Sequence, residues 1–137
     1  MAPKILIIED EPGIRLALND ELRFEGFDVE LAEDGPTGLA AVLRSKPELV
    51  ILDLMLPGRN GFEICQEIRA RGLRTPIIVL TAAGGPKEWQ RLSAIGADAF
   101  LVKPVNAEDV ELVIRRTMRS RRSLVPSTPT PITPKTG

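Results

Sequence analysis

Four short apolar runs, each ending in an acid, a hydroxyl or an ammonium, constrain this chain more than any other feature. Lys4-Ile5-Leu6-Ile7-Ile8 runs into Glu9-Asp10-Glu11, and Glu48-Leu49-Val50-Ile51-Leu52 runs into Asp53. Ile77-Ile78-Val79-Leu80 runs into Thr81, and Ala99-Phe100-Leu101-Val102 runs into Lys103-Pro104. Continuous β-branched and leucine runs, separated by helix-length stretches, read as parallel strands buried on both faces. In an open parallel sheet the functional crevice lies outside the carboxyl ends of the strands. The charged groups at those ends therefore share one pocket.

Helical patterns fill the intervals. Residues 12–25 place Ile14, Leu18, Leu22 and Phe24 at helical spacing, opened by Pro12 and closed by Gly26. A short strand at 29–31 precedes a helix over 36–45, and further helices are predicted over 60–71, 86–95 and 106–121, the last with Asn106 as N-cap. Strand and helix thus alternate five times, which predicts an α/β fold with a five-stranded parallel sheet and helices on both faces.

The length of 137 residues suits one domain, and 43% hydrophobic content suffices for its core. From Val125 onward Pro126, Pro129, Pro131 and Pro134 alternate with threonines and a serine. The expected division is a globular domain over 1–122 and an extended Pro/Thr-rich linker or tail over 123–137. No apolar run approaches the ~20 residues that cross a bilayer. Cys65, the single cysteine, excludes an intrachain disulfide and reads as a buried packing residue, with a reducing, cytoplasmic location as the default. With no histidine, the chain cannot itself be a phosphohistidine donor. Residues 1–114 hold twelve Lys/Arg and all nineteen Asp/Glu, while five arginines cluster at 115–122. A cationic last turn complements the helix dipole; a nucleic-acid footprint is usually larger and carries stacking aromatics, so direct DNA binding is not expected.

Ile7 to Glu11, Leu52-Asp53-Leu54-Met55-Leu56-Pro57-Gly58, Leu80-Thr81-Ala82 and Gly96 to Pro104 together resemble the receiver domain of bacterial two-component response regulators, of the chemotaxis-regulator kind. The resemblance spans roughly the first 120 residues. It implies a flavodoxin-like doubly wound sheet of order 2-1-3-4-5. It also implies a phosphoryl group accepted onto Asp53 from a histidine kinase or a histidine phosphotransfer protein, with no enzymatic activity beyond the chain's own phosphorylation and slow dephosphorylation.

The residues support that chemistry. A lone carboxylate at the end of the central strand, with Pro57-Gly58 turning the chain away, is a competent nucleophile toward phosphorus. Glu9 and Asp10 should face Asp53, and three crowded carboxylates repel unless a cation neutralises them. Mg²⁺ suits hard oxygen ligands with few protein donors. The resemblance implies that Asp10, Asp53 and the backbone carbonyl of Met55 bind the metal, with Glu9 close behind. Lys103 suits a phosphate oxygen or the free Asp53 carboxylate, and the resemblance implies a cis Lys103-Pro104 bond. Thr81 offers a hydroxyl that can turn toward a new phosphoryl group. Phe100 stands where receivers carry a switching aromatic; lacking a hydroxyl, it is expected to face inward, or else is ordinary strand core.

The resemblance further implies an altered face formed by the fourth helix, fifth strand and fifth helix, acting on a downstream protein or a fused output domain. Trp89 and Lys87 are expected to be exposed there. Asp98 fits the charged set through which related regulators dimerise, while Val113 and Ala99 replace charged members of that set, leaving at most a weak homodimer. A haloacid dehalogenase-type hydrolase needs an acid at position 55, which is Met; a nucleotide- or flavin-binding fold needs a glycine-rich first turn, which here is Glu9-Asp10-Glu11-Pro12-Gly13. A pseudo-receiver that only binds partners remains the alternative, although no pocket residue is missing. A stand-alone receiver and a piece of a longer protein are equally compatible with the Pro/Thr stretch.

Overall fold

The computed structural model describes residues 2–56 and 60–122, residues 121 and 122 by their backbone alone. Strand β1 (Lys4–Ile8) leads into α1 (Pro12–Phe24), β2 (Asp28–Ala32), α2 (Gly35–Ser45) and β3 (Leu49–Asp53). Helix α3 (Gly61–Ala70), β4 (Ile77–Thr81), α4 (Pro86–Ala94), β5 (Ala99–Val102) and α5 (Ala107–Arg122) follow. All pairings are parallel, in the order β2-β1-β3-β4-β5. The Pro57-Gly58 turn and the segment from 123 onward lie outside the described residues.

Alternation along each strand divides the apolar side chains between two cores. Leu6, Ile8, Val50, Leu52, Ile77, Val79 and Phe100 pack with α2, α3 and α4 through Leu39, Val42, Ile64, Ile68 and Leu92. Ile5, Ile7, Leu49, Ile51, Ile78, Leu80 and Leu101 pack with α1 and α5 through Leu18, Leu22, Val110, Val113 and Ile114. This explains the unbroken apolar runs of β1, β3, β4 and β5, which are covered on both faces, whereas edge strand β2 leaves Asp28 and Leu31 exposed. Each fully buried Leu or Ile contributes about 1.5–3 kcal/mol.

Several side chains depart from their expected positions. Phe24 is 85% exposed, because two residues past Leu22 it lies about 200° round the helix from the buried stripe. Phe27, beyond the helix end, is buried instead, with the Arg115 guanidinium 5.0 Å from its ring centre. Val113 and Ala99 point into the core, so neither occupies a surface position where a charge would serve dimerisation. Asp98 also turns inward. Its Oδ2 accepts from Arg69 Nη2 at 3.0 Å and from the Ile77 amide at 2.8 Å, while Arg69 donates to the carbonyls of Leu73, Thr75 and Gly96. This guanidinium clamp fastens α3 to the amino ends of β4 and β5. Cys65 is wholly buried, and burial pushes its thiol up to about 11, so it is a packing residue.

Candidate functional site

Register brings the pocket together. Ile8 pairs with Leu52 and Thr81 pairs with Val102. Glu9 therefore emerges level with Asp53, and Lys103 emerges just past Thr81. Carboxylate oxygens of Glu9, Asp10 and Asp53 all lie within 4.8 Å of one another. Lys103 Nζ donates to Asp53 Oδ2 at 2.9 Å and lies 3.3 Å from Glu9 Oε1. The other Asp53 oxygen, Oδ1, accepts from the Met55 amide at 3.0 Å. The Lys103-Pro104 bond is cis.

Asp53 and Glu9 are buried, at 1% and 0% exposure, whereas Asp10 is open to solvent. Burial is the main cause that raises the Glu9 carboxyl to about 7; the adjacent Asp53 adds to it, against the Glu11 amide and the Lys103 charge. For Lys103, burial alone would depress the ammonium. The hydrogen bond to Asp53 and the charges of Glu9 and Asp53 outweigh it, so the pKa is raised and the cation is secure.

Glu9 Oε2 accepts from the Glu11 amide at 3.2 Å. Oε1 is the one buried side-chain oxygen or nitrogen among the described residues that lacks a hydrogen bond. A buried carboxylate oxygen with the Lys103 ammonium nearby but no hydrogen bond, beside two further carboxylates, is a donor set suited to a hard divalent cation, and Mg²⁺ fits it.

The Glu9 ionisation has a testable consequence. Its folded-state value of about 7 stands above the ordinary 4.5. Below 4.5 the group is protonated in both states and nothing is lost. As pH rises toward 7 the unfolded chain ionises first, and stability falls. Without divalent cation, Glu9→Gln is therefore expected to be more stable than wild type at about pH 8, by on the order of 2–3 kcal/mol and so with a higher Tm, and to lose that advantage near about pH 4. Thermal melts across this range check it; an equal gap at both ends would contradict the burial argument.

Three features of the site escaped the sequence. Arg15 donates from Nη1 to the carbonyls of Glu9 and Asp10, at 3.0 and 3.2 Å, and so holds the acidic turn in place. A cation near a helix start opposes the dipole, which was the available signal. Gly61 packs its Cα against the Asp53 and Leu54 backbone, where a Cβ would come within 2.6 Å of both. Trp89, expected at the surface, is half-buried and stacks on Phe100 with ring centres 5.6 Å apart. Phe100 itself is 1% exposed. Thr81 is bonded to its own loop: its Oγ1 donates to the Ala83 carbonyl and accepts from the Ala83 amide, each at 3.2 Å. Glu11 takes the N-cap position of α1 but makes no side-chain cap bond.

A doubly wound sheet with this acid, hydroxyl and ammonium set at its carboxyl edge belongs to a recognisable class. Residues 5–115 match the response regulator receiver domain, and the chain is a member of that family of two-component systems. It is similar to the response regulator MprA of Mycobacterium sp. (strain KMS), with 36% identity over 119 residues, covering 87% of this chain and 52% of that protein. The transcriptional regulatory protein DltR of Streptococcus agalactiae serotype III (strain NEM316) is 39% identical over 120 residues, 88% of this chain and 53% of its own. The chain spans about half the length of the curated relatives it matches. Among solved structures, the chemotaxis response regulator CheY4 of Vibrio cholerae superposes with a TM-score of 0.81 at 32% identity, over 85% of this chain and 99% of that one. Among the described residues no helix is long and apolar enough to cross a membrane.

Proposed function

We propose that residues 1–122 form a phosphoacceptor switch in which Asp53 takes a phosphoryl group from the phosphohistidine of a kinase or phosphotransfer protein. The observation that carries this reading is the buried Asp53 carboxylate, 2.9 Å from Lys103 Nζ and clustered with Glu9 and Asp10. A carboxylate oxygen attacks phosphorus, the phosphorus–nitrogen bond breaks, and its electron pair leaves with the imidazole, producing an acyl phosphate. Asp10, Asp53 and the Met55 carbonyl would hold Mg²⁺ with Glu9 behind them, and the ion supplies positive charge to the incoming phosphoryl oxygens.

Lys103 transfers its hydrogen bond from the carboxylate to a phosphoryl oxygen, and Thr81 exchanges Ala83 for another. Each charge-assisted bond is worth roughly 1.5–3 kcal/mol, enough to bias two nearly balanced conformations. The α4–β5–α5 face then acts on a downstream protein or an output domain beyond the 123–137 segment, which we read as a linker or tail. The chain turns over no other substrate and works in the cytoplasm, where Cys65 stays reduced.

Intact-mass measurement after incubation with acetyl phosphate tests the reading. A phosphate adduct is expected with Mg²⁺ or Mn²⁺ and not with excess chelator. Failure to form one with either metal would overturn the phosphoacceptor role, and equal labelling in chelator would remove the metal from it. DNA contact is assigned to any output domain. In a gel shift at physiological salt this chain is expected to bind duplex no better than the roughly 10⁻⁴–10⁻⁶ M of non-specific association. Sequence-selective retardation by sub-micromolar protein would contradict that assignment.

A further inference from the structure

Helix α4 is held to the fold at few points. Leu92 is its one buried side chain, and no side chain caps its amino end. The N-cap is Gly85 at φ +110°, a conformation that favours glycine, and Gly84 precedes it. Gly84 lies so close to β5 that a Cβ there would meet Val102 Cγ2 at 2.6 Å. An uncapped helix behind two glycines gains little from its own termini. Its first turn is fixed instead by Trp89, whose ring stacks on Phe100 at an interplanar angle of 21°.

The same short loop begins at the site. Thr81 Oγ1 is bonded only to the backbone of Ala83, two residues before Gly85. A hydroxyl that turns toward Asp53 must release Ala83, and the glycines that follow offer least resistance to the backbone change. Phe100 is already inside the core and covered by Trp89, so a ring movement from outside to inside has no room to operate.

We propose that Trp89 is a positioning residue that latches the first turn of α4 onto Phe100. The change at Asp53 reaches the surface by moving this latch through Ala83, Gly84 and Gly85, while the Phe100 ring stays buried. The proposal rests on the phosphoacceptor reading and adds the moving part to it. A single aromatic stack adds little beyond the burial of its rings, so two new hydrogen bonds at the site can overcome it.

Trp89 is the only tryptophan and the chain has no tyrosine, so intrinsic fluorescence reports this contact alone. The protein is titrated with beryllofluoride, a phosphoryl stand-in, in the presence of Mg²⁺. Occupancy is read by fluorine NMR, and Trp89 by emission maximum and acrylamide quenching. The emission is expected to shift to the red and quenching to strengthen in step with occupancy. Full occupancy with unchanged emission and quenching would overturn the latch and leave the phosphoacceptor role standing; no occupancy at saturating beryllofluoride would remove both. In Trp89→Leu, beryllofluoride uptake should persist while the amide resonances of residues 87–90 are displaced before any is added. Wild-type positions for those amides, with a wild-type response, would also overturn the latch.

Discussion

Asp53→Asn is expected to abolish the phosphate adduct formed from acetyl phosphate and Mg²⁺, while the fold survives. A carboxamide is not a nucleophile toward phosphorus, and the change removes one of three carboxylates that could hold the cation. Yet an Asn oxygen can still accept from the Met55 amide or from Lys103, the two bonds Asp53 makes now. Burial at this position is therefore not left without a partner. Intact-mass analysis and a thermal melt on the same sample give both answers. An undiminished adduct in the Asn variant would move the acceptor elsewhere, with Asp10 the nearest carboxylate open to solvent.

The largest loss of stability from a single methyl group is expected at Gly61. An added Cβ would lie 2.6 Å from the Asp53 carbonyl oxygen and 2.6 Å from Leu54 Cα. Both are backbone atoms that cannot rotate aside, and Gly61 also donates its amide to the Leu54 carbonyl at 2.8 Å. Overpacking of this kind costs about 1–3 kcal/mol, which in a domain of this size lowers Tm by several degrees. Because the displaced backbone is that of Asp53 and its neighbour Leu54, Gly61→Ala should also slow acetyl phosphate labelling. Gly13→Ala is the control. Nothing lies within 4 Å of its added methyl, and in a helix that change is neutral or stabilises by about 0.4–1 kcal/mol. Equal melting temperatures for the two variants would show that the α3–β3 contact gives way more readily than its geometry implies.

Strands were the most legible part of the chain. Runs such as Ile5 to Ile8 are apolar at every position because both faces of the sheet are covered, and their ends could be read within a residue. Helix starts were legible where a capping side chain stood, as at Asn106, which accepts from the Asp109 amide at 2.8 Å. Helix α2 begins one residue earlier than expected because Asp34 caps it through the Thr37 amide, and that backbone hydrogen bond lowers the Asp34 carboxyl. The acids and the lysine of the site could be placed from strand ends alone, since a parallel sheet carries all such ends to one edge. What stayed hidden depended on the third dimension. Whether Trp89 faces water or Phe100 turns on how α4 rolls against β5, and nothing in a stretch of mixed polar residues sets that roll. Asp98 reads like any surface acid until the chain brings Arg69 beside it from the end of another helix.

The Arg69 clamp separates the two edges of the sheet in what they tolerate. Arg69, Asp98 and the carbonyls they bind tie the amino edge together, while every loop that bears on Asp53 leaves from the opposite edge. A strand five residues long stands between them. Loops at the carboxyl edge can therefore be transplanted between receivers of differing specificity without disturbing the anchorage, provided the guanidinium and its carboxylate travel with the scaffold. A recombination library built on this boundary would keep its failures of folding and its changes of signalling on opposite sides of the same sheet.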